Sequence, residues 1–127
     1  MVTPAIFEAP SVNSVYQLIE ARLGVNVAFK LTGTTSVGTA DVQLVENNPG
    51  RTNLTIVNLS SNTVYLSPMS AASSSSGILL TASGGSLAMN YNDDLVLPTL
   101  EWHAIASGSS SNVFVIEASI LGGRRGG

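Results

Sequence analysis

Apolar and polar residues alternate through most of the chain, and at only one place, near the start, do apolar residues fall at helical spacing. Val12, Val15, Tyr16, Ile19 and Leu23 recur every three or four residues, with Glu20 and Arg22 on other faces. Ser11 is placed to cap this run, and Gly24 to end it, because a glycine just past the last turn takes the left-handed conformation without a Cβ clash. The pattern predicts a helix from Ser11 to Leu23. A helix of about 13 residues does not persist alone in water, so it is expected to dock, on its own domain in preference to a subunit interface. Residues 1–10 carry two prolines and no period, and read as an extended arm.

From Val25 onward the period is two. Val25, Val27, Phe29 and Leu31 share one face of a predicted half-buried strand, followed by a small-residue loop from Thr32 to Thr39. A strand from Asp41 to Glu46 turns Val42 and Leu44 inward. The turn Asn48-Pro49-Gly50 then leads into a strand from Arg51 to Asn58. Ser60-Ser61-Asn62 reads as a polar turn into a strand from Thr63 to Ser67, so the stretch from Asn48 to Pro68 reads as a β-hairpin. Leu54 and Ile56 on one side of its first strand, with Val57 and Leu59 on the other, call for cover on both faces. Ala71 to Ser76 is a loop of low complexity. Gly77–Thr81 and Ser86–Asn90 flank Gly84-Gly85 as a second hairpin. Tyr91 to Leu100 is a connection broken by Pro98. Glu101–Ala106 and Val113–Ala118 are the last strands, joined by the turn Ser107–Ser111. About eight short strands behind one N-terminal helix predict a mainly β fold, an antiparallel β-sandwich or jelly-roll-like barrel. The organisation expected is an arm and helix over residues 1–24, a β-sandwich domain over 25–120 and a flexible Gly/Arg tail over 121–127.

Composition narrows the choice of surface. Only 10% of the 127 residues are charged, against about 25% in an average soluble domain, while 44% are hydrophobic. The polar surface is therefore built from Ser, Thr, Asn and Gly, which suits close, neutral packing against another protein. A single lysine, Lys30, and a net charge of −3 argue against nucleic-acid binding, which needs clustered positive charge. Without cysteine there is neither a disulfide framework nor a thiolate metal site. The first ten residues lack the basic and apolar regions of a secretory signal, and no apolar run approaches the ~20 residues that span a bilayer. Synthesis in a cytoplasm, with no membrane partner, is the expectation. The sequons at Asn53 and Asn58 then read as chance.

Candidate chemistry is sparse. His103, the only histidine, lies on a predicted strand with Glu101 two residues back on the same face; two ligands do not make a metal site, so a hydrogen-bonded strand histidine is the preferred reading. Asp93 and Asp94 lack the loop spacing of a calcium site and read as a solvated turn. No serine sits in a G-x-S-x-G elbow, no pair of carboxylates stands out, and Gly84-Gly85 lacks the strand-to-helix context of a phosphate loop. The sequence predicts a protein that is not an enzyme and holds no cofactor. Trp102 and Tyr91 could stack on a sugar, but core packing is the better reading for Trp102. Arg124 and Arg125 sit in the glycine-rich tail, where a basic tip could reach an acidic patch or a phosphate backbone, but a solvated, disordered terminus is the preferred reading.

The run NPGRTNLTIVNLSSNTVYLSP, followed by GILLTASGGSL and WHAIASGSSSNVFVIE, resembles small β-sandwich virion proteins of tailed bacteriophages. The resemblance is carried by Asn48, Pro49, Arg51, Leu54, Ile56 and Asn58, then Val64 to Pro68, Gly84, Gly85 and Ala104 to Gly108. It spans roughly residues 45–118 and consists of turn-and-strand grammar. It implies a virion protein, made in the host cytoplasm, that decorates or cements the outside of a capsid. The partner would be the major capsid protein or another virion protein. The chain itself would be a homo-oligomer, a trimer being common among lattice-decorating proteins. Contacts are expected from the arm, helix and tail through Ile6, Phe7, Val12, Tyr16, Ile19, Arg124 and Arg125. A receptor- or carbohydrate-binding module of a tail or fibre is the alternative.

Overall fold

A computed structural model describes residues 13–121. The chain divides into two units, one of residues 1–28 with 120–127 and one of residues 29–119.

In the first unit, helix α1 runs over Val15–Leu23. Its cap is Ser14, whose Oγ accepts the Gln17 N–H at 3.2 Å, while Gln17 Oε1 reaches back to the Asn13 N–H at 2.6 Å. These two bonds start the helix three residues later than the first capping serine in the sequence allowed. Ser11 and Val12 lie outside the described residues. Gly24 ends the helix with φ 75° and donates its N–H to Glu20 O. No residue of α1 is buried, and Val15, Tyr16, Leu18 and Leu23 are exposed.

The second unit is a sandwich of two four-stranded antiparallel sheets. The strands are β1 (Val27–Val37), whose first two residues belong to the first unit, β2 (Val42–Val45), β3 (Arg51–Asn58), β4 (Val64–Pro68), β5 (Ile78–Leu80), β6 (Ser86–Asn90), β7 (Trp102–Ala106) and β8 (Ser111–Ile120), whose last residue does. Sheet A has the order β1-β8-β3-β6 and sheet B the order β2-β7-β4-β5. The chain therefore changes sheet at every connection except β4 to β5, which is the jelly-roll arrangement.

That topology corrects the hairpins read from the sequence. β3 and β4 do not pair with each other: β3 lies between β8 and β6, and β4 between β7 and β5. The stretch Asn48–Pro68 is an arch from one sheet to the other. The same holds for β5 and β6 around Gly84-Gly85, and for β7 and β8 around Ser107–Ser110. Asn58 is the physical reason for the first two arches. Its fully buried side chain donates from Nδ2 to the carbonyls of Asn62, Leu80 and Thr81, while its Oδ1 accepts from the N–H and hydroxyl of Ser60. The amide thus supplies the bonds that a tight hairpin would have made with backbone. Gly85 packs so close to Thr81 that a Cβ would lie 2.4 Å from its nitrogen.

The core is filled from both sheets by Leu54, Ile56, Val113 and Val115 on one side and Val64, Leu66, Ala104 and Trp102 on the other. Burying each large aliphatic contributes roughly 1.5–3 kcal/mol. A register shift after Gln43 turns both Leu44 and Val45 inward. β1 differs from expectation: it continues through Thr32–Ser36 to Val37, where a loop was read. Phe29 and Leu31 do share a face, but it is the outer one, and they are 58% and 57% exposed.

Candidate functional site

Four features of the sandwich carry polar or exposed chemistry. The first is a buried ion pair at the end of the sandwich where β3 begins. Arg51 enters β3 directly after the Asn48–Gly50 turn, and Glu117 lies near the end of the neighbouring β8, so strand pairing sets them side by side. Arg51 Nε donates to Glu117 Oε1 at 2.7 Å, with both side chains buried. The remaining guanidinium nitrogens donate to the carbonyls of Pro98, Leu100 and Glu46. Thr32 donates its hydroxyl to Glu117 Oε2. Burial pushes the Glu117 carboxyl up, but the hydrogen bonds from Thr32 and Arg51 and the attraction of Arg51 and Lys30 outweigh it, leaving the carboxyl below its usual range. The pair floors a cleft of about 310 Å³ lined also by Lys30, Glu46, Asn47 and Asn48.

The second feature stands on that buried arginine. Residues 91–101 connect β6 to β7, beginning with a single helical turn, α2 (Tyr91–Asp94). Asn90 caps it, accepting the Asp93 N–H, and Asp94 Oδ2 accepts the Asn90 N–H at 3.0 Å. The expected solvated turn at Asp93-Asp94 is therefore a capped helical turn. A 3₁₀ turn over Leu97–Thr99 follows. From below, Pro98 is buried, Trp102 Nε1 donates to Leu97 O at 3.1 Å, and Arg51 donates to Pro98 O and Leu100 O. At the summit Leu95 is 72% exposed and Val96 64%, with Leu97 and Tyr91 also exposed. Leu95 adopts φ 57°, ψ −114°, a region that a leucine occupies only when its surroundings hold it there. The result is an apolar tip on a braced base.

The third is the outer face of sheet A. Inward-facing residues of β8 alternate with Phe114, Ile116 and Ala118, which stand opposite Val57, Thr55 and Asn53 of β3. Thr55 is in turn opposite Ala88 of β6, and Phe29 and Leu31 are exposed on β1 at the other edge. These residues are apolar or small and uncharged.

The fourth is His103, on the outer face of β7. Its Nε2 is 2.7 Å from Glu101 Oε2, as the two-residue spacing suggested, and its Nδ1 is 2.8 Å from Asp41 Oδ2. The hydrogen bond to Glu101 raises the imidazole pKa above 6.5; burial opposes this, and the bond to Asp41 and the charge of both carboxylates add to it. Asp41 is 62 residues away in sequence and was not legible as a partner.

Of the residues expected to make contacts, Ile6, Phe7, Val12, Arg124 and Arg125 lie outside the described residues. Tyr16 is exposed and Ile19 half-buried, one turn apart on α1. Trp102 is 1% exposed in the core and cannot stack on a sugar, whereas Tyr91 is 43% exposed. The tip residues Leu95 to Leu97 were passed over because a run interrupted by Pro98 has no strand or helix period. Three adjacent large aliphatics inside a connection were the available signal. Among the described residues no group of three or more His, Asp or Glu side chains could hold a metal ion. Comparison of the chain with protein-family models, with curated proteins and with solved structures finds no match in any of the three.

Proposed function

We propose that this chain is a non-enzymatic structural protein of a tailed-phage virion that binds the outside of the capsid as a decoration or cement protein. The observation that carries this reading is the braced tip. Exposing Tyr91, Leu95, Val96 and Leu97 to water is unfavourable, and holding Leu95 at positive φ adds strain. A backbone fixed from below by Arg51, Pro98 and Trp102 presents these side chains to a partner without the ordering cost that a loose loop would incur. The uncharged outer face of sheet A offers a second, broader surface of the neutral kind that the composition led us to expect. The phage assignment rests on the sequence resemblance, to which the jelly-roll topology, common in capsid proteins, adds fold-level analogy. Many copies on a lattice would then gain avidity from weak individual contacts.

The test uses particles that lack this chain, to which the purified protein is added back. The wild-type protein should saturate hundreds of sites per particle, counted by quantitative mass spectrometry. The double substitution Leu95→Asp, Val96→Asp should lower occupancy at a fixed concentration at least about tenfold, equivalent to about 1.4 kcal/mol per site, with the thermal midpoint of the protein unchanged. A handful of sites would place the chain at a tail or vertex, and undiminished binding by the double variant would remove the tip from the mechanism.

A further inference from the structure

We propose that Asp41, His103 and Glu101 form a pH-operated clasp that fastens the segment Met69–Ala72 to the outside of sheet B when the imidazole is protonated and releases one arm of it when the ring is neutral. This inference goes beyond the proposed function and does not depend on it.

The geometry is that of a ring with both nitrogens engaged. Nδ1 faces Asp41 Oδ2 at 2.8 Å and Nε2 faces Glu101 Oε2 at 2.7 Å. A carboxylate only accepts, so satisfying both contacts requires both ring nitrogens to carry hydrogen. A neutral imidazole has one N–H and one lone pair. Whichever tautomer forms, one carboxylate then faces a lone pair and that contact turns from attractive to repulsive. The ring is 15% exposed and the two carboxylates 29% and 28%, so water screens the repulsion only in part. The charged groups that bear on the ring are Asp41 and Glu101. Opposite it on the neighbouring strands stand Gln43 of β2 and Ser67 of β4, both uncharged, with Tyr65 of β4 one row further along beside Ile105.

Both acidic partners also hold the segment that follows β4. Asp41 uses its second oxygen, Oδ1, to accept the Ala72 N–H at 3.0 Å, and the Glu101 backbone carbonyl accepts the Met69 N–H at 2.9 Å. Ala72 is buried at 6%, while Met69, at φ 68°, and the serines after Ala72 complete an otherwise exposed connection to β5. A proton on His103 thus fixes Asp41, and Asp41 fixes Ala72.

The direction of the effect follows from linkage. The folded ring holds its proton more tightly than the unfolded chain does. The clasp therefore contributes in full below pH 6.5 and its contribution fades as pH rises through the elevated value of the folded ring.

Because the chain has one histidine, its ring proton can be followed by NMR without ambiguity. The full-length wild-type protein should titrate with a midpoint above 6.5. Through the same midpoint the protection factor of the Ala72 amide, corrected for the pH dependence of intrinsic exchange, should fall. The fall should be about tenfold for each unit by which the midpoint exceeds the unfolded value, while protection of the core amide of Ile56 stays constant. His103→Gln should make Ala72 protection independent of pH between 5 and 9 (roughly the range in which imidazole titrates). Asp41→Asn should lower the histidine midpoint. A wild-type midpoint at or below 6.5, or Ala72 protection that does not follow the histidine, overturns the proposal without any variant. So does a His103→Gln protein that keeps the wild-type pH dependence.

Discussion

Arg51 and Glu117 illustrate how much rests on one pair of residues in a chain with so few charges. Each buried charge is tolerable because the other is 2.7 Å away and because further hydrogen bonds from Thr32 and to the carbonyls of Pro98, Leu100 and Glu46 satisfy the two side chains. Removing one partner strands the other. Glu117→Gln should destabilise the protein by about 3–5 kcal/mol in urea unfolding at pH 7. Replacing both at once, by Arg51→Met with Glu117→Leu, should cost less than either single change, since no charge is left unpaired. The depressed carboxyl also sets an acid limb. Its contribution is present above the usual glutamate value and is lost as pH falls through the lowered folded value, so the stability gap between wild type and Glu117→Gln should narrow in acid. The place of Arg51 at the head of a strand, directly after an Asn-Pro-Gly turn, was legible, but its burial and its partner 66 residues on were not. His103 shows the same division. Glu101 was visible as a neighbour because a strand repeats every two residues, while Asp41 arrives only through the pairing of β2 with β7.

At the scale of elements, the strands themselves were legible and their partners were not. Alternation is a local property, so β3 was found from Arg51 to Asn58 and β7 within one residue of its start. Alternation says which residues share a face but not which side of the strand meets the core, so the exposure of Phe29 and Leu31 did not follow from it. A short polar linker between two strands is equally compatible with a hairpin and with an arch. What decides here is the side chain of Asn58, which bonds to carbonyls of both the β3–β4 and the β5–β6 connections. Asn58→Ala should therefore cost about 2–4 kcal/mol in chemical denaturation, far more than an asparagine in an ordinary hairpin turn. A loss below about 0.5 kcal/mol would show that the arches are held by strand packing alone. The braced tip was not legible because nothing periodic marks it; its rigidity comes from Pro98, Trp102 and Arg51 acting together, and these are brought together only by the fold.

For the whole molecule, the jelly-roll order has a kinetic consequence. Of the seven connections between consecutive strands only β4 to β5 joins neighbours in one sheet, and Met69–Gly77 separates those two strands. Almost no native pairing can form until distant parts of the chain have met, so loop closure precedes most of the stabilising contacts. Folding should accordingly take milliseconds to seconds, followed by stopped-flow fluorescence of Trp102, the only tryptophan and a core residue. A microsecond phase carrying most of the amplitude would mean that a local element forms first after all.

One further consequence concerns the points where the polypeptide enters β1 and leaves β8. The Leu121 N–H donates to Asn26 O at 2.7 Å, so the stretch entering β1 and the stretch leaving β8 lie side by side as antiparallel neighbours. A linker across this gap would join the two stretches, and fresh termini cut into the serine-rich turn at Ser73–Ser76 would separate no paired strands other than β4 and β5. The order in which the strands are synthesised is thus separable from the order in which they pack, and a circularly permuted chain offers an attachment point for cargo on the serine-rich turn.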